Sequence, residues 1–287
     1  MAGEFKQVLL LAGNILSKSN LSKPNYESKL IMSKLISKDL LEIFVNSDLT
    51  ISEKQKKIFL KNIFKRFSGK PLSKIFGCKE FYSNEFYINN HTLDPRPESE
   101  LLVDIVKNIE SKKNNRNLNI LDLGIGSGCL LISLVKELMV DREVKGIGVD
   151  ICDEALMVSK KNIMKFGLEN RIKLLNSNWF RRIKNKFDII ISNPPYIDKR
   201  SLSELDIEVK NYDPLIALNG GKEGLEAYKI ISKESLNFLK KDGYICLEIG
   251  KGQKKAVEKL FEKNGFRKKN HFKDFLGIER VLIFSIF

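Results

Sequence analysis

The chain is predicted to fold as an α/β domain with a mostly parallel sheet, preceded by a small all-α helical bundle. Three observations carry that expectation. From Glu98 onward, short continuous apolar runs alternate with stretches of helical period, the pattern of strands covered by helices on both faces. A glycine-rich turn, Gly124-Ile-Gly-Ser-Gly128, directly follows one apolar run and opens a helical stretch. The first seventy residues show helical patterns instead, with Phe5, Val8, Leu9, Ala12, Ile15 and Leu16 on one face.

Taken in order, a second helix is expected from Pro24, at an N1-like position, to Ile36. Thr50-Ile-Ser-Glu53 has the spacing of a capping box, and the basic, apolar stretch behind it stops at Gly69 before Pro71. Four or five helices thus fill residues 1–75. Glu80-Phe-Tyr82 and Phe86-Tyr-Ile88, divided by Ser83-Asn84, read as a hairpin inside a linker over 76–97. Asp94-Pro-Arg-Pro97 ends that linker by breaking regular structure. Within the α/β domain, 98–287, strands are expected at 119–123, 144–149, 172–175, 187–192, 244–249 and 280–287. Helices are expected over 129–139, 154–166, 224–239 and 253–263.

Composition narrows the function classes. At 43% hydrophobic and 30% charged residues, the balance is that of an ordinary globular protein. No apolar run approaches the roughly 18 residues of a membrane span, and the N-terminus lacks the pattern of a signal peptide. A cytoplasmic location with no membrane partner is expected. Cys78, Cys129, Cys152 and Cys246 form no CxxC pair and read as single thiols of a reducing compartment. His91 and His271 stand far apart in sequence, so no metal site is expected. The net charge of +14 suits a partner that works among RNA, or reflects a Lys-rich background. Residues 1–92 carry 15 basic and 8 acidic side chains, half of that excess in a third of the chain.

Two motifs carry chemistry. In Asp122-Leu-Gly124-Ile125-Gly126-Ser127-Gly128 the glycines allow a tight turn and close approach of a ligand to the backbone. Asp150 ends the next strand, where its carboxylate can accept hydrogen bonds from both hydroxyls of a ribose. This pair indicates a nucleoside cofactor and leaves open whether it is S-adenosyl-L-methionine or a dinucleotide. The second motif, Asn193-Pro194-Pro195-Tyr196, lies at the end of the apolar run 187–192. Two prolines stiffen the turn and leave carbonyl oxygens free to accept bonds from a planar NH₂ group. The Asn193 amide adds a donor and an acceptor, and the Tyr196 ring offers a flat face.

With these motifs in place the chain resembles the release factor glutamine methyltransferases along nearly its whole length. Asp94-Pro-Arg-Pro-Glu-Ser-Glu100 is similar to that family's Pro-Arg-Pro-Glu-Thr-Glu signature. Ser177-Asn178-Trp179-Phe180, Asp213-Pro-Leu-Ile-Ala-Leu218, Glu248-Ile-Gly250 and Lys273-Asp-Phe-Leu-Gly277-Ile-Glu-Arg280 extend the match. The resemblance implies a Rossmann-like, seven-stranded class I methyltransferase domain and a helical domain for partner recognition. It implies S-adenosyl-L-methionine as cofactor, S-adenosyl-L-homocysteine as product, and class-one peptide chain release factors as protein partners. By that resemblance, Gly124 to Gly128 face the amino-acid part of the cofactor, Asp150 its ribose, and Asn178 with Trp179 its adenine. Asn193 and Pro194, with Pro195 and Tyr196, would hold the glutamine amide. Arg96 and Glu98 would touch the substrate or pin the linker. Asn178 stands where the family usually has Asp, Asp213 where Glu is common, and Ile125 and Ser127 where threonines are frequent. A ribosomal-protein glutamine and an exocyclic base amine are the competing substrates. A non-catalytic binding protein is the competing class, although recognisable nucleic-acid modules are missing from the sequence.

Overall fold

The computed structural model describes residues 2–19, 21–45, 49–113 and 116–286. Two compact units emerge, one of residues 1–77 with Ile207–Tyr212, the other of Cys78–Asp206 with Asp213–Phe287. The first unit contains α1 (Ala2–Leu16), α2 (Pro24–Ile36), α3 (Leu40–Val45), α4 (Glu53–Phe67) and α5 (Leu72–Phe76). Phe5, Val8, Ala12 and Leu16 bury one face of α1 against Ile31, Met32, Phe59 and Ile63. The capping box lies two residues beyond its expected place. Ser52 is the N-cap, and the Gln55 side chain accepts its backbone N–H at 2.9 Å. The Ser-x-x-Gln spacing satisfies two otherwise orphaned donors. Arg66 is buried between Glu27 and Glu208, at 2.5 and 2.6 Å, which ties the Ile207–Tyr212 segment into this unit.

The second unit opens with the hairpin β1 (Cys78–Phe81) and β2 (Asn84–Tyr87). Its turn residues are Tyr82 and Ser83, one position earlier than expected, both at positive φ. Glu100 accepts the Tyr82 N–H at 2.8 Å and Asn84 caps its carbonyl at 2.6 Å, which holds a tyrosine in that sparsely populated region. Phe81 and Phe86 enter the core of the sheet domain, so the hairpin expected as a linker is built into this unit.

The chain continues through α6 (Glu100–Glu110), β3 (Asn117–Leu123), α7 (Cys129–Leu138), β4 (Glu143–Asp150), α8 (Asp153–Lys165), β5 (Ile172–Asn176) and β6 (Phe187–Ser192). After α9 (Ile207–Tyr212) come α10 (Leu215–Leu218), α11 (Glu226–Glu234), β7 (Leu239–Glu248), α12 (Lys254–Lys263), β8 (Phe266–Lys273) and β9 (Glu279–Ile286). The helix expected through 239 ends at Glu234 and tightens into a 3₁₀ turn, because Phe238 stacks on Phe180 at 4.9 Å and β7 begins at Leu239. Phe287, the last residue of the expected final strand, lies outside the described residues.

Seven strands form one sheet in the order β5-β4-β3-β6-β7-β9-β8, with β7–β9 and β8–β9 antiparallel and the other pairs parallel. Period-two alternation splits the core. Ile189 and Ile191 of β6 join the cluster with α6 and α7, while Ile190 joins Tyr228, Val257 and Phe261 on the other face. Strand order reverses beside β3, which places a crevice at the carboxyl ends of β3, β4 and β6. Among the described residues, no helix is long and apolar enough to cross a membrane.

Candidate active site

The loop after β3 is shaped by its main chain. Gly124 and Ile125 both donate to the Val149 carbonyl at 2.9 Å, and Gly128 donates to Ile125 O at 2.8 Å. Gly124 and Gly126 take φ of +78° and +55°, a region costly for residues with a Cβ. A Cβ on Gly124 would point into open space, so the missing side chain leaves a cradle. The helix α8 braces the loop from below, with Ser159 donating to Gly126 O at 2.6 Å and Asn162 to Ser127 O at 2.8 Å. Gly148 on β4 makes room for Ile125, whose Cδ1 lies 2.0 Å from where a Cβ would stand.

Asp150 ends β4 with its carboxylate anchored by two backbone donors at 3.0 Å, Gly126 N–H on one oxygen and Cys152 N–H on the other. Each oxygen keeps a second lone pair. Beneath the loop, the fully buried Asp122 finds no close hydrogen-bond donor for its carboxyl oxygens among the described residues, the Leu131 backbone N–H acting on it only weakly. Burial, with the Asp150 charge adding to it, pushes the Asp122 carboxyl up to about 8. Sequence reasoning quoted Asp122 without a role, because burial is not visible in a motif. Asn178 is exposed, and Trp179 beside it is held at φ +50°, its carbonyl accepting from Ser177 Oγ at 3.0 Å.

The turn after β6 is held by side chains from elsewhere. Asn193 Nδ2 donates to Ser99 Oγ at 3.0 Å, and the Ser99 hydroxyl donates to buried Glu248. Tyr196 OH donates to the other Glu248 oxygen at 3.3 Å. Burial raises the Tyr196 hydroxyl well above its ordinary value, and the Glu248 charge adds to this. Gln253 Nε2 holds the Tyr196 carbonyl at 2.9 Å, and Gly220 packs against Pro195 and Tyr196 with no space for a Cβ. Gln253 was not singled out from sequence, and Ser99 and Glu248 only as parts of family motifs.

Loop and turn face one cavity of about 350 Å³. Gly124, Ile125, Gly126, Ser127, Asp150, Asn178, Trp179, Asn193 and Pro195 are on its wall. Gly128, Pro194 and Tyr196 are not among the lining residues; Pro194 is buried and Tyr196 packs at the edge of the core. Arg96 lines the cavity and is paired with Asp213 at 2.5 Å, so it also pins the segment before α6. Asp94 and Asp150 set carboxylates on the wall, where Glu226 is paired with Lys229 at 2.7 Å and the Arg96 guanidinium with Asp213. The chain is strongly basic, yet its cavity is acidic.

The fold also gathers His91, Cys152 and Glu154 within 4.8 Å at the rim, a grouping that sequence spacing did not foresee. His91 and Glu154 are exposed, and the group sits at the N-terminal end of α8, whose dipole opposes a bound cation.

Residues 92–209 match the methyltransferase small domain, and residues 7–77 match the PrmC N-terminal domain. The hMettl16 catalytic domain superposes with a TM-score of 0.57 at 16% identity, covering 83% of this chain and 84% of that one. The ribosomal protein L11 methylase from Lactobacillus delbrueckii does so with a TM-score of 0.50 at 19% identity, covering 72% and 88%. Sheet order, loop and matched domain define a class I methyltransferase fold. The bifunctional methyltransferase of Rickettsia conorii is 38% identical over 99% of this chain and 58% of its own length, so the chain spans little more than half of that relative. The release factor glutamine methyltransferases of Agrobacterium fabrum and Clostridium botulinum are 34% and 35% identical over 96% of this chain and 95% and 97% of theirs. The chain belongs to the release factor glutamine methyltransferase family.

Proposed function

We propose that the chain transfers a methyl group from S-adenosyl-L-methionine to the side-chain amide nitrogen of a protein glutamine, that of the Gly-Gly-Gln motif of class-one release factors. The observation that carries the cofactor is the acidic cavity. Asp94 and Asp150 on the wall suit a sulfonium cation and repel a pyrophosphate. The residues present fit the cofactor. Asp150 keeps acceptor capacity for the ribose hydroxyls, the Gly124 cradle admits the amino-acid part, and Asn178 with Trp179 stands at the rim for the adenine.

The cofactor supplies an electrophilic methyl on sulfur. This chain's residues supply position. A glutamine amide nitrogen is a poor nucleophile, because its lone pair is delocalised into the carbonyl. Asn193, on the cavity wall, fixes the NH₂ group, and orientation of this kind is worth up to about 7–11 kcal/mol in favourable cases. With the cofactor bound, the nitrogen that Asn193 holds would take the methyl, S-adenosyl-L-homocysteine would be the leaving group, and the nitrogen's proton would pass to solvent. The helical unit, with its basic excess, recognises the partner protein.

The test is methyl transfer from labelled S-adenosyl-L-methionine to a purified class-one release factor, beside its Gly-Gly-Ala variant. Label on the native factor alone supports the reading. Label only on a ribosomal protein or on nucleic acid overturns the choice of substrate and leaves the chemistry standing.

A further inference from the structure

Three side chains stand in a line behind the turn after β6. Asn193 donates through Nδ2 to Ser99 Oγ at 3.0 Å, and the Ser99 hydroxyl donates to Glu248 Oε2. Ser99 and Glu248 are 3% and 1% exposed, so solvent does not compete for these bonds. A serine hydroxyl carries one proton. Once that proton is given to Glu248, the Ser99 oxygen can only accept. The Asn193 amide must then present its NH₂ side to Ser99, leaving its carbonyl oxygen for a molecule in the cavity that Asn193 lines.

We propose that Ser99 and Glu248 are positioning residues, which hold the Asn193 amide in the one orientation that accepts a hydrogen bond from a substrate NH₂ group. The proposal rests on the glutamine reading above. A flipped Asn193 would set its own NH₂ against the substrate NH₂, donor against donor, and turnover would fall.

The ionisation of Glu248 bears on this line. Burial pushes its carboxyl up to about 7, while Ser99, Arg280 and Tyr196 pull it down and Glu98 adds to the rise. Ser99 and Glu98 face it from the segment before α6, Tyr196 from the turn after β6 and Arg280 from β9. The Tyr228 hydroxyl from α11 meets its backbone carbonyl at 3.0 Å. Ionised, Glu248 only accepts, which commits the serine proton. Protonated, it donates to Ser99, which frees the serine proton to turn toward Asn193 and permits the flip. Turnover therefore rises as pH climbs through about 7.

The experiment measures kcat and cofactor Kd for the full chain and its Ser99→Ala, Ser99→Thr and Glu248→Gln variants, with the release factor as acceptor. Ser99→Ala is expected to lower kcat roughly 10- to 100-fold, with Kd for S-adenosyl-L-methionine changed by less than about threefold. Ser99→Thr, which keeps the hydroxyl, recovers most of the rate. Glu248→Gln removes the rise near pH 7 that the parent chain shows. A Ser99→Ala chain that turns over within about twofold of the parent overturns the proposal, and so does a pH profile unchanged in Glu248→Gln. A variant that fails to fold is replaced by a measurement on the parent chain. Its ¹⁵N-labelled Asn193 amide, identified by its loss in Asn193→Ala, should be better protected above pH 7 than below, its exchange rate being divided by that of a free amide at the same pH. Equal protection on both sides sinks the positioning role. A parent chain that binds cofactor but labels no glutamine overturns the functional reading instead, and the amide exchange still decides this one.

Discussion

The loop after β3 and the turn after β6 leave the same edge of the sheet, yet they are held in opposite ways. The loop is held through its backbone: Gly126 N–H meets Asp150, and its carbonyls meet Ser159 and Asn162. Of its own side chains, Ile125 only packs into the core behind the loop. The turn is held through side chains reaching in from three other segments, Ser99, Glu248 and Gln253. A backbone-held site tolerates substitution within it and depends on glycine. A side-chain-held site depends on residues distant in sequence.

Substitutions on the two sides test that contrast. Asn193→Ala removes the side chain proposed to meet the substrate and is expected to lower kcat by about 100-fold or more, with S-adenosyl-L-methionine binding close to the parent value. Isothermal titration beside a turnover assay separates the two. Asp150→Ala takes a charged acceptor from the loop and from the ribose it is proposed to hold, so cofactor affinity should weaken roughly 10- to 100-fold by titration. Gly148→Ala drives a Cβ into Ile125 and should destabilise the fold by about 1–3 kcal/mol in urea denaturation. An unchanged midpoint would show that the loop yields more easily than its contacts indicate.

Stability should also carry the mark of the buried carboxyl behind the turn. Glu248 titrates from an ordinary value of 4.5 when unfolded and at about 7 when folded. Between those limits the folded state keeps a proton that the unfolded state has lost, so stability falls as pH rises through that window. Denaturation midpoints across the range should decline, and Glu248→Gln should flatten the decline. The smallest effect is expected from Asn178→Asp. A carboxylate accepts more strongly than an amide carbonyl, so cofactor binding should tighten by about two- to tenfold at most. Unchanged binding in that variant would place the exposed Asn178 outside the cofactor's reach.

Much of the sheet domain was legible because its strands are buried on both faces. Runs such as Ile189–Ile191 are apolar throughout, and Gly167 follows closely on the end of α8, so period and punctuation agreed. The strand β8 was not foreseen. Phe266–Lys273 reads FRKKNHFK, which is too basic for a buried strand. It lies at the edge of the sheet, where lysines guard unpaired backbone against other strands. The helix α6 was also passed over, its signal sitting close behind a proline-rich break.

By itself the sequence determined the alternating elements, the glycine loop and the Asn-Pro-Pro-Tyr turn, because each is local chemistry written within a few residues. Only the tertiary structure decided which groups answer them. Ser99 meets Asn193 across 94 positions and Glu248 across 149, and Asp122 becomes a proton-holding acid only when the core closes over it. Orientation and burial arise from contacts between distant segments, and no local pattern encodes them.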